Sequence, residues 1–427
     1  MWHKKIKNVK NQLKCGSLNQ DNTKLFKMKY KILFLIIGLF SCVLSNAQTR
    51  GCTDKQANNY NSSAKENDGS CTYNKTSYKS KIICSKLSDT LIESSGLIYF
   101  NNLFWTLNDS DNPPILYAFD SMGGQIKHQT VLSNNSNTDW EDLSQDENYI
   151  YVGDFGNNNG SRKDLHILKI KKSDINLNVS IDTVNTGKIR FQFGDQSVFN
   201  SGSQNHNFDL EAMCLINDSI HLFSKNWADL KSKHYSCPTD TGFYNLSPLE
   251  TLETNGLVTG AAINKNGTIS LCGYNISNGT SFLYLMWDYK NNICLSGNKR
   301  RIDLGTVFHN GQNEAVCFKG NTLYMSNEKR IADAQLQRIE IEQWLGIKSA
   351  LNQQINLFSS YCKDHELFVA YKAIENPVAI KIIDSSGKTV FTQSNFSGEL
   401  KLDVSSWAKG VYTFEMEGGP NRKIIIE

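Results

Sequence analysis

Short runs of alternating apolar and polar residues dominate the chain between about residue 79 and residue 345, and helical periodicity is nearly absent. A typical run, ESSGLIYFNNLFWTLN, begins at Glu93 and holds an apolar strand, a turn at asparagines and a second strand. Alternation with a period of two predicts β-strands whose neighbouring side chains point to opposite faces. Residues 331–346 differ, because their pattern fits a helix and a final strand equally well. We therefore predict an almost all-β protein.

This strand-turn-strand phrase recurs along the chain, which indicates an internal repeat. The copies begin at Glu93, Asp139, Phe208, Val258 and Asn313. Acidic anchors stand near the start of four copies, and Gly260 replaces the acid in the remaining one: Glu93, Glu141, Glu211 and Glu314. Their spacing of roughly 50 to 70 residues fits four antiparallel strands per repeat, the blade of a β-propeller. We predict a five- or six-bladed β-propeller over residues 79–345, with strands from both ends closing the ring.

The final stretch, residues 354–427, alternates in the same way and predicts a small C-terminal antiparallel β-sandwich. Its motifs are Asp384-Ser385-Ser386-Gly387-Lys388, Asp403-Val404-Ser405-Ser406, Gly410-Val411-Tyr412 and Lys423-Ile424-Ile425-Ile426. They resemble the type A C-terminal sorting domain of type IX secretion substrates, although the Pro-Asn-Pro element that usually opens this family is absent. The resemblance implies that residues 354–427 are recognised by the type IX machinery, which leaves the protein at the cell surface or released from it.

The N-terminal residues 1–47 have the form of a leader. Residues 28–47 combine two lysines, an apolar run over 32–44 and the small residues Ser45 and Ala47, which predicts a signal peptide cleaved after Ala47. An alternative is lipidation of Cys42 in a loose lipobox. The apolar run is too short to span a bilayer comfortably, so we predict no transmembrane segment.

Residues 51–73, within a predicted unit at 48–78, read GCTDKQANNYNSSAKENDGSCTY. They resemble a GCTD…DGSC module of secreted proteins from bacteria with type IX secretion. Cys52 and Cys71 can close this loop, and a disulfide of that length contributes about 3 kcal/mol. The acidic residues Asp54, Glu66 and Asp68 could hold Ca²⁺, or they could simply form turns. Of the 11 cysteines, Cys15 and Cys42 precede the predicted cleavage site, which leaves an odd number in an oxidising compartment.

The charge balance changes once the leader is set aside. The chain has a formal charge of +3, but its first 47 residues carry nine lysines and one acidic residue, so the remainder carries −5. A mildly acidic protein without a basic stripe is not expected to bind DNA or RNA.

The first candidate site is a carboxylate ring on the propeller axis. Inner strands converge there, so the anchors Glu93, Glu141, Glu211 and Glu314 could meet. Because close carboxylates repel each other, a bound Ca²⁺ would stabilise them, with Asp139, Asp142 and Asp209 as further oxygen ligands. The alternative is a structural clasp in which these carboxylates accept backbone N–H groups from neighbouring blades.

The second candidate site comprises the polar clusters that follow the inner strand pairs, since loops at one mouth of a propeller collect binding residues. Its candidate binding residues are Asp109, Asp154, Lys225 and Lys329. Lys225, Lys329 and Arg162 could hold an anion or a sugar, and Trp105 and Trp227 could stack on it. The alternative is ordinary hairpin chemistry, with Trp105 and Trp140 in the blade core.

Two functions remain open at this stage. The histidines lack metal-ligand spacing, and no nucleophile elbow, P-loop or Cys-x-x-Cys pair occurs. These absences favour a binding or scaffold protein whose propeller holds a glycan, polymer or protein. The repeat plan also resembles the gluconolactonase-like and phytase-esterase-like propellers, which implies a calcium-assisted hydrolase of the lactonase or phosphoesterase type. Whether the protein is an enzyme is left undecided, and Ca²⁺ is the one cofactor considered.

Overall fold

The structure is a computed structural model that describes residues 49–121, 124–199, 202–330, 332–345, 358–363, 365–371, 378–396, 399–416 and 422–426. The predicted leader at 1–47, its signal peptide at 28–47 and the lipidation alternative at Cys42 lie outside these residues. So does the predicted start of the C-terminal domain at residue 354.

Most of the described segments in which apolar and polar residues alternate form β-strands. Four short strands come first: β1 Arg50–Gly51, β2 Glu66–Asn67, β3 Thr76–Ser77 and β4 Lys81–Cys84. The first two repeats supply β5 Ser94–Phe100, β6 Leu103–Asn108, β7 Ile115–Phe119, β8 Ile126–Leu132, β9 Trp140–Gln145, β10 Tyr149–Asp154, β11 His166–Lys171, β12 Ile181–Val184 and β13 Gly187–Phe193. The third repeat supplies β14 Asp209–Ile216, β15 Ser219–Lys225, β16 Ser232–Pro238, β17 Gly242–Leu246 and β18 Glu250–Leu252.

The last two repeats complete the central region. They supply β19 Leu257–Ile263, β20 Ile269–Asn275, β21 Thr280–Trp287, β22 Asn298–Thr306, β23 Gln312–Lys319, β24 Thr322–Glu328 and β25 Leu336–Ile339. One short helix, α1 Val307–Asn310, joins β22 to β23. Single 3₁₀ turns occur at Asp89–Leu91, Lys172–Asp174, Cys294–Ser296 and Glu342–Trp344. The described part of the ambiguous segment is therefore a strand, Leu336–Ile339, which pairs with β24 and β4, followed by a 3₁₀ turn at Glu342–Trp344.

Strands β3 to β25 form five sheets around one axis, and β1 and β2 pair with each other apart from them. Their orders are β12-β8-β7-β6-β5, β17-β13-β11-β10-β9, β14-β15-β16-β18, β19-β20-β21-β22-β3 and β23-β24-β25-β4. The innermost strands pack in a closed cycle, with β5 on β9, β9 on β14, β14 on β19, β19 on β23, and β23 back on β5. The structure thus confirms the predicted β-propeller architecture.

The ring is closed by strands from both ends of the propeller region. Strand β4 precedes the first sheet in sequence but pairs antiparallel with β25, as the outermost strand of the last sheet. This pairing covers an edge of that sheet and ties its beginning to its end. Apolar side chains fill the space between sheets, including Trp105 and Trp140, which are fully buried between the first two.

The residues before the propeller form a clipped loop. Cys52 and Cys71 are joined by a disulfide, as predicted. The carboxylate of Asp54 accepts hydrogen bonds from the Gln56 backbone at 2.9 Å and the Tyr73 hydroxyl at 2.7 Å. Asp68 accepts the Ser70 backbone N–H at 3.0 Å. These contacts favour the turn-forming role of the acidic residues over a Ca²⁺ site.

The C-terminal region forms a separate β-sandwich. Its strands are β26 Phe358–Lys363, β27 Glu366–Tyr371, β28 Val378–Ile383, β29 Thr389–Phe396, β30 Glu399–Asp403, β31 Gly410–Met416 and β32 Arg422–Ile426. They form two sheets, β26-β27-β30 and β29-β28-β31-β32, with Ile382, Phe396 and Phe414 buried in the core. In the described residues, no helix has the length and apolarity needed to cross a membrane.

Candidate functional site

The propeller axis is occupied by the carboxylate of Asp142, on β9. It accepts backbone N–H groups from Leu143 at 2.8 Å, Met213 at 2.7 Å and Ala261 at 3.2 Å. Those donors belong to the second, third and fourth sheets, so the carboxylate must reach across the centre of the ring. Burial raises the pKa of Asp142, and the three N–H donors act in the opposite direction. Asp142 therefore acts as a structural clasp, the alternative to a Ca²⁺ ligand that the sequence analysis considered.

Small residues surround Asp142 at the matching positions of the other inner strands. By strand register these are Ala212, Gly260 and Ala315, and the bulged residue Gly96 of β5 approaches the Asp142 backbone. A Cβ on Gly96, whose φ is +63°, would lie 2.6 Å from the Leu143 nitrogen. A Cβ on Gly260 would lie 2.7 Å from the Glu314 carbonyl oxygen. These positions stay small because the inner strands approach each other closely around the one carboxylate.

The residues that directly precede this layer in each inner strand form a second layer, which we call the anchor layer. Its members differ from the predicted ring of four glutamates. Its members are Ser95, Glu141, Glu211, Thr259 and Glu314. Gly260, proposed as a stand-in anchor, belongs to the axial layer, and Thr259 holds the anchor position. Ser95 and Thr259 donate their hydroxyls to the backbone carbonyls of Glu141 and Asn313 in the next inner strand.

Glu93 lies outside the anchor layer, and its assignment to the ring is corrected here. The residue precedes β5, its side chain is exposed, and its carboxylate accepts the Asn112 amide at 2.6 Å. Every inner strand bulges at this level, and in β5 the bulged residue is Gly96, so Glu93 lies three residues before the bulge and outside the layer. Glu93 therefore stands on the rim, where its charge acts on Asp109.

We define the acidic mouth as Asp109, Asp139, Glu141, Glu211, Glu314 and Lys225. Three of its carboxylates, from Asp109, Asp139 and Glu141, have oxygens within 4.8 Å of one another. Gly156 makes this convergence possible, because a Cβ there would lie 2.2 Å from Glu141 Oε1 and 2.5 Å from the Asp139 carboxylate. The structure thus brings three of the four predicted anchor glutamates and Asp109 to one end of the axis.

Burial and mutual repulsion make these carboxyl groups weak acids. Burial raises the pKa of Asp109 to about 6, of Asp139 to about 7 and of Glu314 to about 8. The pKa of Glu141 is also well above its usual range, through burial and then the charges of Glu211 and Asp109. The carboxyl groups of the acidic mouth therefore either remain protonated near neutral pH or are stabilised as carboxylates by a bound cation.

Lys225 is the cation inside the acidic mouth. Its Nζ donates to Glu211 Oε1 at 2.6 Å, and both side chains are almost fully buried. The Trp227 ring lies beneath the ammonium, 4.9 Å from Nζ to the ring centroid. Nearby carboxylates, Glu211 foremost, hold the pKa of Lys225 above its usual range against the effect of burial. One lysine cannot neutralise the five carboxylates around it.

The remaining predicted site residues have structural contacts or lie away from the mouth. Asp154 is buried and receives Arg162 Nη2 at 2.8 Å. Asp209 accepts the Asn157 backbone N–H at 2.7 Å and Trp227 Nε1 at 2.8 Å, which makes it a second clasp. Lys329 is exposed beside Asp333, whose carboxylate lies 3.6 Å from its Nζ. In the third sheet Lys225 pairs with Asp209 at the start of the inner strand. In the fifth sheet the residue at the same place is Glu328, which pairs with Gln312. Glu328, and not Lys329, therefore occupies the position equivalent to Lys225.

Sequence reasoning missed two features of this site. The first is Gly156, which belongs to the polar stretch that begins at Asp154. Nothing in the sequence marks this glycine, because its role depends on its closeness to the carboxylates of Glu141 and Asp139.

The second feature is a buried polar chain in the third sheet. His221 Nδ1 lies 2.6 Å from His234 Nε2, His234 Nδ1 lies 2.8 Å from Glu250 Oε1, and Glu250 also accepts the backbone N–H of Cys294 at 2.7 Å. Strand pairing, not sequence spacing, joins these residues.

Comparisons with known proteins identify the C-terminal region. Residues 364–427 match the family described as the secretion system C-terminal sorting domain. No curated protein matches the chain.

Several solved structures are similar to it at low identity. PorZ, a surface component of the type IX secretion system of Porphyromonas gingivalis, is 12% identical, with a TM-score of 0.30 and coverage of 78% of this chain and 44% of that one. The calcium-binding protein regucalcin from Agrobacterium tumefaciens is 11% identical, with a TM-score of 0.33 and coverage of 62% and 94%. A gluconolactonase from Xanthomonas campestris is 10% identical, with a TM-score of 0.33 and coverage of 69% and 92%. At these values the similarities carry no statement about activity.

The matched C-terminal domain indicates a type IX secretion substrate, and hence a secreted or cell-surface protein.

Proposed function

We propose that this protein is a binding protein delivered by type IX secretion, and that its acidic mouth receives a positively charged group of a polymer, glycan or protein ligand. The GCTD module and the propeller would form the delivered part, and the C-terminal sandwich would serve export. Asp109, Glu141, Glu211, Glu314 and Lys225 would form the binding surface.

The carboxylate of Glu141 carries this proposal. Its side chain is 3% exposed, and among the described residues it accepts no hydrogen bond. A buried carboxylate without donors is costly unless it is protonated or meets a positive charge. Asp139 and Asp109 bring two more carboxylates to the same point, so an incoming ammonium or guanidinium would find several acceptors and displace the retained protons.

The test is a binding screen with the mature secreted chain. Glycan, polyamine and basic-peptide panels are compared for the wild type, Glu141→Gln, and Glu253→Gln as a control. Glu253 is exposed and pairs with Lys231 at 2.7 Å. We expect a cationic ligand whose affinity falls at least tenfold in Glu141→Gln and stays unchanged in Glu253→Gln. Failure to bind any member of broad panels, or equal binding by all three proteins, would overturn the proposal.

A calcium-assisted hydrolase is the second candidate, and the convergence of Asp109, Asp139 and Glu141 supports it. All three offer hard oxygen ligands within 4.8 Å, the donor type that Ca²⁺ prefers. The space beside Gly156 suits such a group, because any larger residue would enter it. These residues would supply part of the coordination shell, and water or substrate would supply the rest. Bound Ca²⁺ would polarise a carbonyl or phosphoryl oxygen.

Metal analysis separates the two candidates. The hydrolase predicts one Ca²⁺ per chain, loss of that ion in Asp139→Asn, and turnover of lactone or phosphoester substrates. A protein without stoichiometric calcium and without turnover leaves only the binding function.

A further inference from the structure

The end of the axis opposite the acidic mouth carries a cavity of about 1080 Å³. It is bordered by the hairpins that join the first and second strands of the first, second, fourth and fifth sheets. The buried Asp142 lies on its inner strand between the acidic mouth and the hairpin that borders this cavity, and no acidic-mouth residue lines the cavity. We call the cavity the lower cavity.

The charges that line the lower cavity balance. Lys172, Lys265 and Lys319 face it together with Asp146, Glu147 and Glu342. Two of the lysines pack on aromatic rings: Lys319 Nζ lies 4.4 Å from the Tyr99 ring centroid, and Lys172 Nζ lies 4.8 Å from that of Phe100. A lining without net charge does not select a strongly charged ligand, in contrast to the acidic mouth.

Planar amides and half-buried aromatic rings make up much of the remaining lining. Asn266 Nδ2 donates to Asn321 Oδ1 at 3.1 Å, which links hairpins of the fourth and fifth sheets across the cavity wall. Gln145 Nε2 donates to the Tyr99 carbonyl at 2.9 Å and so holds a second amide in place. Tyr99, Phe100 and Phe318 are only partly buried at this end.

We propose that the lower cavity binds a segment of a neutral oligosaccharide. Sugars present hydroxyl groups, which pair with amides and with both signs of charge, and C–H faces, which pack on aromatic rings. The volume slightly exceeds that of ordinary ligand sites, which span about 300–1,000 Å³, and so suits several sugar units rather than one. This site is distinct from the acidic mouth and does not depend on the function proposed for it.

The test is a glycan array with the mature secreted chain, followed by titration of the neutral oligosaccharides that bind. Asn266→Ala/Asn321→Ala removes the amide pair at the cavity wall. Its matched control is Asn58→Ala/Asn74→Ala, an exposed pair in the N-terminal loop with the same 3.1 Å amide contact. We expect the cavity variant to bind at least tenfold more weakly and the control to bind like the wild type. Thermal unfolding checks that both variants fold, and Tyr99→Leu, which keeps apolar bulk, should also weaken binding.

Two outcomes would overturn the inference. One is that no neutral oligosaccharide binds at millimolar concentration. The other is that a bound oligosaccharide is lost in Glu141→Gln but retained in both cavity variants, which would place it in the acidic mouth. Failure of the screen for cationic ligands would not affect this result, so the two proposals can fail separately.

Discussion

Single residues on the axis decide how the sheets are held and what they can bind. Asp142 satisfies backbone groups of three sheets, whereas Glu141, its neighbour in sequence, satisfies none among the described residues. The difference comes from the pleat and the bulge of β9, which turn one carboxylate inward to N–H groups and the other toward the mouth. Of these two adjacent acidic residues, Asp142 is therefore structural and Glu141 is a candidate binding residue.

Replacing Asp142 should destabilise the propeller strongly. Asp142→Ala leaves three buried N–H groups without an acceptor, and we expect the free energy of unfolding to fall by about 3 kcal/mol or more. Denaturant unfolding of the full chain measures this loss. Asp384→Ala is the control, because Asp384 accepts the Ser386 and Lys388 backbone N–H groups in an exposed turn and should cost far less. Equal losses would contradict the clasp.

The acidic mouth should make stability depend on pH. The folded pKa of Glu314, about 8, exceeds its value of 4.5 in the unfolded chain, so the folded state holds the proton more tightly. Its contribution to stability is fully present below pH 4.5 and is lost as the pH rises toward 8. Unfolding at pH 5, 7 and 8.5 should show a smaller decline for Glu314→Gln than for the wild type. Glu253→Gln should follow the wild type, and an unchanged slope in Glu314→Gln would refute the assignment.

At the level of elements, the ring depends on a strand borrowed from the beginning of the propeller. Strand β4 pairs with β25 through Leu336–Cys84, Gln337–Ile82 and Arg338–Lys81. Strand β3, by contrast, adds two paired residues to the outside of the fourth sheet. The first pairing closes the cycle of sheets, and the second extends one sheet that is already complete.

Proline substitutions should separate these two roles. Ile82→Pro constrains the backbone of the closing strand and should lower stability by about 3 kcal/mol. Thr76→Pro in β3 should cost clearly less, because β3 does not close the ring. Urea unfolding of both variants tests the comparison, and a larger loss in Thr76→Pro would show that closure does not govern stability.

At the scale of the whole molecule, the C-terminal sandwich carries the export signal and the propeller carries the candidate sites. The sandwich has its own core of Ile382, Phe396 and Phe414, and its residues 364–427 match the sorting-domain family. Export and ligand binding should therefore be separable by truncation.

A chain that ends before residue 364 should remain inside a host with a functional type IX system, while the full chain reaches the surface or the medium. Fractionation and immunoblotting would measure the distribution. A propeller variant such as Glu141→Gln, which keeps the sandwich intact, should be exported normally. Surface delivery of the truncated chain would mean that residues 364–427 are dispensable for sorting.

The sequence by itself determined the all-β class, the propeller, the disulfide between Cys52 and Cys71 and the sorting domain. Alternation, repeat spacing and motifs are local properties of the chain, so they survive without coordinates. Only the tertiary structure decided which acidic residues meet. Glu93 lies three residues before the bulged Gly96 of β5 and so outside the anchor layer. Register assigned Glu328 rather than Lys329 to the position of Lys225, and the lower cavity arose from hairpins far apart in sequence. Such outcomes depend on strand register and on the packing of separate sheets, which a repeat pattern does not specify to within one residue.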